Sequence, residues 1–372
     1  MADARFARLR REWPLALGAL STALFLGFGR AWLADLSPPG WYALLLGWLF
    51  AAIAICAFGV VRHAESLAVR VGEPLGTLVL TLAMSGMELL IIAAVMVAGP
   101  GVSSLARDTM LAIVMIVLNG LVGVSLLLGG LRYHEQTYNL YGANAVLSVI
   151  VPLSVLGLVL PSLTESPPGP MFSPLHAAFL IVISLGLYGV FLAIQTLRHR
   201  DYFVAPLPQA SVPGPEAGTN EARSPAYHGA FLLAYAIPVV LLAKQIAVPI
   251  DYGIRVLGAP SALGGLLVAV LILSPESMAA VRAALANELT RSINLALGTA
   301  LSSISLTIPA VLLIGFAAEK TVILGLDSPD ALLLLLTLVV STLTFALERT
   351  NILQGAVHLL LFVAYLMLIF ER

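Results

Sequence analysis

Long apolar runs separated by short polar breaks dominate the chain. A helix needs roughly 20 mostly apolar residues to cross the hydrocarbon of a bilayer. Eleven stretches approach or exceed that length, at about 15–36, 41–61, 75–98, 109–131, 143–162, 175–197, 229–250, 260–284, 291–317, 330–347 and 352–370. The breaks carry turn chemistry, as in "LSPPGW" at 36–41 and "TESPPGPMFSP" at 164–174. The longest polar interruption, 198–228, is rich in Pro, Ala and Gly, which predicts a flexible connector between two halves. The pattern predicts an all-α polytopic membrane protein of about eleven transmembrane helices.

Composition agrees. The chain is 60% hydrophobic and 10% charged, with a mean hydropathy of +1.00, whereas a soluble domain carries about a quarter charged residues. A net charge of −1 argues against nucleic acid as a partner. Cys56 is the only cysteine, so no intrachain disulfide can form. Arg5, Arg8, Arg10 and Arg11 precede the first apolar run, which is too long for a signal peptide and reads as a retained span. With the N-terminus in the cytoplasm, the inner loops hold Arg62, Arg70, Arg132, Arg198, Arg200, Arg223, Arg291 and Arg349. The outer loops hold Arg107, Arg255 and Lys320, with Arg372 at the end, an asymmetry that fits the positive-inside rule.

Against this background the acidic residues become informative. Nearly all of the 20 fall in loops or at span ends. Glu88, in "MSGMELLII", lies near the centre of the third span, and Glu276, in "LILSPESMAAV", near the centre of the eighth. A charged acid at the bilayer centre costs on the order of 3 kcal/mol or more, and such residues mark substrate or proton pathways. The two positions match. Leu75 and Gly76 precede Glu88 at the offsets (88 − 75, 88 − 76) at which Leu263 and Gly264 precede Glu276 (276 − 263, 276 − 264). Ser85-Gly86 and Ser274-Pro275, both helix-weakening pairs, stand just before the two acids. Each acid occupies the second span of a five-span block, and an odd number of spans makes the blocks insert in opposite orientations. That is the inverted repeat of many secondary transporters, which bind substrate at the midplane where broken helices meet. The predicted organisation is one transporter domain: an extra N-terminal helix (1–40), a first repeat (41–197), a cytoplasmic connector (198–228) and a second repeat (229–372). Carbonyls freed near Gly86 and Pro275, beside a carboxylate, would suit a hard cation.

The stretches "RHAESLAVRVGEPLGTLVLTLAMSGMELL" (62–90) and "LILSPESMAAVRAALANELTRSINLALGTALSSISLTIPAVLLIG" (271–315) resemble the two alpha-repeats of cation/proton exchangers in the calcium:cation antiporter superfamily. "RDTMLAIVMIVLNGLVGVSLLLGGLRYHEQTYNLYGANAVL" (107–147) and "RTNILQGAVHLLLFVAYLMLIF" (349–370) resemble the bacterial ChaA-type calcium (sodium, potassium)/proton antiporters. The resemblance implies a secondary antiporter of the bacterial inner membrane. It would exchange cytoplasmic calcium, or sodium or potassium, for external protons at Glu88 and Glu276, without a cofactor. Its partners would be the transported cations, protons and lipid, with the N-terminus cytoplasmic and the C-terminus periplasmic. Many relatives carry a Gly-Asn-Ala-Thr-Glu-like run before the first acid, where this chain reads Met84-Ser85-Gly86-Met87. The charge of two carboxylates predicts that calcium is transported, and the fewer side-chain oxygens make sodium or potassium competitors at alkaline pH.

Small polar residues on the neighbouring spans complete the candidate set. Asn119 and Ser125 lie in the fourth span, and Asn294, Thr299, Ser302, Ser303 and Thr307 in the ninth. In this superfamily such residues line the cation path, although Ser and Thr also serve helix packing. The predicted cation and proton site comprises Glu88, Glu276, Ser85, Gly86, Ser274, Asn119 and Ser302. His63 stands near the end of the second span as a possible relay or pH sensor, or as a structural residue. Two other functions make different demands. A membrane hydrolase would need a nucleophile or His ligands at membrane depth, where only His358 is eligible, and neither His-Glu-x-x-His nor Gly-x-Ser-x-Gly occurs. A passive channel would conduct without moving protons.

Overall fold

The computed structural model describes residues 12–72, 75–98, 104–164, 172–198, 200–203, 224–319 and 321–371. Among these, ten helices are long and apolar enough to cross a membrane: α1 (Trp13–Trp32), α2 (Pro39–Val71), α3 (Leu75–Ala98), α4 (Leu105–Tyr133), α5 (Leu140–Leu163), α6 (Pro174–Arg198), α7 (Pro225–Arg255), α8 (Ser261–Leu285), α9 (Leu289–Ala317) and α11 (Ile352–Phe370). The tenth in order, α10 (Ser328–Thr344), is apolar but shorter. Every expected span is therefore a helix. Most of the 198–228 connector, 204–223, lies outside the described residues, as do Arg5, Arg8, Arg10 and Arg11.

The chain divides into two compact units, and these cut across the sequence halves. One unit contains α1–α3 and α7, and the other contains α4–α6 and α8–α11. Helices collect where their apolar faces can be buried, not by order along the chain.

In the first unit, α2 presents Leu45, Leu49, Ala52, Ile53, Cys56 and Val60 at helical spacing to its neighbours. From α7 come Tyr235, Val239, Leu242 and Ile246. Gly59 lets α7 approach closely, since a Cβ there would stand 2.4 Å from the Tyr235 ring. Phe25 and Trp32 of α1 pack edge-on at 5.5 Å, and Trp48 of α2 donates its indole N–H to Ser21 of α1 at 3.0 Å. The apolar pattern ends near residue 61, yet α2 continues to Val71. Arg62 and His63 stay helical because polar partners in the same unit receive their side chains.

In the second unit, α4 is buried without interruption from Leu105 to Gly123, as expected of a helix apolar on all sides. α8 lies close against it: a Cβ on Gly265 would sit 2.5 Å from the Asp108 carbonyl carbon. α4 contains a π-helical turn at Ile116–Leu121 and α9 another at Ser303–Thr307. Both are the third helix of their half, 28 and 27 residues beyond the acids (116 − 88, 303 − 276). A widened turn of this kind is frequent at functional sites. Two short strands, β1 (Gln136–Thr137) and β2 (Arg349–Thr350), pair antiparallel. Beside them, Tyr133 Oη donates to the Leu285 carbonyl at 2.8 Å and Gln136 Nε2 to that of Ala284 at 3.1 Å, closing the end of α8. The "LRYHEQTYN" stretch is thus a brace for the helix that carries Glu276.

Asp108 stands at a span end as expected, and so does Asp330; both are buried, in the first turns of α4 and α10. A negative charge is stabilised at a helix N-terminus. Asp108 also accepts from Arg107 Nε at 2.9 Å and from Ser104 at 3.2 Å, and Arg107 reaches the Gly325 carbonyl at 3.1 Å.

Candidate cation and proton site

In the first unit, Glu88 sits midway along α3 and is 3% exposed. Ser85, one turn earlier, is also 3% exposed, and residues three apart share a helix face. Its hydroxyl is buried without a hydrogen-bond partner among the described residues. An orphan buried hydroxyl costs about 1–3 kcal/mol. Gly86 has open space beside it, since a Cβ there would meet nothing within 4 Å. The helix nevertheless runs unbroken from Leu75 to Ala98. The expected discontinuity at Ser85-Gly86 is absent, because glycine weakens a helix by only about 1 kcal/mol. What this stretch offers is a carboxyl and a hydroxyl oxygen on one face, with room beside them.

In the second unit, Glu276 sits on α8 and is 6% exposed. Pro275 before it has no N–H, which leaves the Leu271 carbonyl without its helical donor. Ser274 Oγ supplies that bond at 3.0 Å, so α8 also continues unbroken. The carbonyl expected to be free is therefore satisfied, and Ser274 keeps only its lone pairs for any other ligand.

Thr299 of α9 meets Glu276, through Oγ1 and Oε2. The same hydroxyl lies 2.9 Å from the Leu295 carbonyl. One hydroxyl has one proton, so the geometry serves both states of the acid. Ionised Glu276 accepts that proton. Protonated Glu276 donates to Thr299, which then donates to Leu295.

Ser302, one turn on, is 5% exposed and donates to the Thr299 carbonyl at 3.1 Å. Asn119, in the π-helical turn of α4, is fully buried, and both ends of its amide are engaged. Nδ2 donates to Thr337 at 2.8 Å and Oδ1 lies 3.2 Å from His358 Nδ1. His358 in turn lies 3.0 Å from Thr344 Oγ1 through Nε2. This network ties α4 to α10 and α11. Thr299 was legible only as one of several small polar residues in its span. Its position one turn before Ser302 was the available signal.

His63 is 1% exposed and lies in a polar cluster of the first unit with Glu12 and His228. Among the described residues no group of three or more His, Cys, Asp or Glu side chains is placed to hold a metal ion.

Comparison with known proteins fits this architecture. The chain matches the family described as sodium/calcium exchanger protein over residues 41–197 and 228–371. It is 43% identical over 312 residues to the y4hA protein of Sinorhizobium fredii, covering 84% of each chain. It is 41% identical over 315 residues to the sodium-potassium/proton antiporter ChaA of Escherichia coli, covering 84% of this chain and 85% of ChaA. The fold matches that of YfkE, a Ca2+/H+ antiporter, with a TM-score of 0.74 at 18% identity, covering 96% of this chain and all of YfkE. The chain belongs to the sodium/calcium exchanger family and is a membrane-spanning cation exchanger, not an enzyme.

Proposed function

We propose that this exchanger moves a monovalent cation, Na+ or K+, against protons by alternating access, with Glu88 and Glu276 as the carboxylates for which cation and proton compete. The observation that carries the reading is the pair of buried glutamates at matching repeat positions, each with a hydroxyl at hand: Ser85 on the same face as Glu88, and Thr299 bonded to Glu276. In low dielectric a carboxylate is neutralised either by a proton or by a cation. The deprotonated form is the ligand, so cation binding expels protons. The likeness to a sodium-potassium/proton antiporter over most of the chain supports monovalent cargo. So does the scarcity of neutral side-chain oxygens before Glu88, since calcium prefers six to eight oxygens. Two carboxylates would also balance one calcium ion, which makes calcium the competing cargo.

The test is a cation panel on vesicles carrying the purified protein and a preset proton gradient. Sodium or potassium should dissipate the gradient. A response to calcium alone would overturn the monovalent reading and leave the exchanger. The basic-residue asymmetry supports a bacterial inner-membrane protein with a cytoplasmic N-terminus. A tag at residue 215 should then be reached only from the cytoplasm, and one after Arg372 only from outside. Both tags on the same side would refute that topology.

A further inference from the structure

The transport reading leaves one buried titratable cluster unused. It lies in the first unit, where the start of α1, the far part of α2 and the start of α7 meet. Glu12, immediately before α1, is 5% exposed; His63 on α2 and His228 on α7 are each 1% exposed. Glu12 Oε1 accepts from Tyr227 at 3.0 Å, and Oε2 accepts from Tyr235 at 2.9 Å and from Arg62. Burial opposes ionisation of Glu12. The bond with His63, the charge of Arg62 and the two tyrosine hydroxyls outweigh it and hold the carboxyl down to about 2. Among the described residues, Glu12, Arg62, His63, Tyr227, His228 and Tyr235 are titratable groups that face one another here. Phe231 stacks on the His63 ring at 5.4 Å.

The bonding pattern limits how many protons the cluster can hold. His63 Nδ1 lies 3.1 Å from His228 Nδ1. One nitrogen must carry hydrogen and the other must not, so the contact survives with two neutral rings or with one added proton. A second added proton sets two N–H donors against each other. The far nitrogen of His63 is 3.2 Å from Arg62 Nη2 and 3.4 Å from Glu12 Oε2. As an acceptor it pairs with Arg62. Once protonated it pairs with Glu12 and opposes the Arg62 donor. Arg62 has somewhere to go, because its side chain is 31% exposed.

We infer that this cluster is a second proton-binding site, separate from the transport glutamates. The first proton taken up by the histidine pair transfers Glu12 from Arg62 to His63. The second separates His63 from His228 and loosens the hold of α1 and α7 on α2. The ligand is the proton on the membrane face that carries the N-terminus. The site would slow exchange when that face turns acid, and this consequence alone rests on the proposed transport.

Hydrogen exchange of the full chain in lipid nanodiscs tests the site without reference to transport. After correction for intrinsic rates, protection of the first turns of α1 and α7 should fall about tenfold between pH 8 and pH 5.5. His63→Gln/His228→Gln should remove that pH dependence. If the double variant does not reach the membrane, His228→Gln alone carries the same expectation. Unchanged protection in the wild type, or an equal fall in the variant, would overturn the site. In vesicles, the same pH step on the N-terminal side should slow exchange more in the wild type than in the variant, which keeps only the proton competition at the two glutamates. A protein that shows the protection change but exchanges no cation would keep the proton site and refute the transport reading.

Discussion

Glu88 and Glu276 hold matching places in the two halves, but their helices prepare them differently. On α8, Pro275 removes a backbone donor, Ser274 replaces it, and Thr299 orients the carboxyl. On α3, Ser85 is left without a hydrogen-bond partner among the described residues and Gly86 faces open space. The hydroxyl beside Glu276 is bonded to the acid, whereas the one beside Glu88 is buried at an energetic cost.

The largest effect should come from the acids themselves. Glu88→Gln and Glu276→Gln should each lower exchange by about a hundredfold or more, the scale of losing a buried charged partner. Both should yield folded protein in the membrane. Near-normal exchange in either variant would break the comparison by removing one of its members.

The hydroxyls should come next, and they should differ. Thr299→Val removes a bond to a carboxyl worth about 1.5–3 kcal/mol, so apparent cation affinity should fall roughly tenfold or more, and Thr299→Ser should restore it. Ser85→Ala should weaken affinity only a few-fold, on the scale of about 1 kcal/mol for a neutral hydrogen bond. Its thermal stability should hold or rise, because an orphan hydroxyl has been removed. A stability loss in Ser85→Ala would show that the residue is structural.

Smaller again is Ser274→Ala, which should lower stability by about 1 kcal/mol by orphaning the Leu271 carbonyl. Adding Pro275→Ala returns the backbone donor and should recover it. Failure to recover would mean that Ser274 acts elsewhere.

Glu12 supplies the limiting case, a carboxylate whose charge is already matched. Its carboxyl is held at about 2 instead of 4.5. A depressed value stabilises the folded state fully above 4.5, and that contribution disappears as pH falls through about 2. The stability gap between wild type and Glu12→Gln should therefore close as pH falls from 4.5 towards 2. A gap that widened over that range would contradict the assignment.

The spans were readable in the sequence because crossing hydrocarbon depends on local apolar length alone. The acids were readable because a glutamate inside such a run is conspicuous. Long-range pairings left no local trace. α2 outruns its apolar segment because Glu12 and His228, distant in sequence, receive Arg62 and His63. His228 lies in the first turn of α7 and is buried there. Asn119 looked like a cation ligand, but its amide is used by Thr337 and His358, more than 200 residues away. The π-helical turns and the β1–β2 pairing are likewise products of packing. Ser274 shows the limit from another side: Pro275 predicts a freed carbonyl, and in the fold the Ser274 hydroxyl covers it.

The central claim is that cation and proton compete for the same two carboxylates. Proton release can be measured directly by adding sodium or potassium to purified protein in weakly buffered solution. The account predicts release that saturates with cation, diminishes as the starting pH is lowered, and is lost in both Glu88→Gln and Glu276→Gln. Saturable cation binding with no proton release, or release undiminished in both variants, would contradict it.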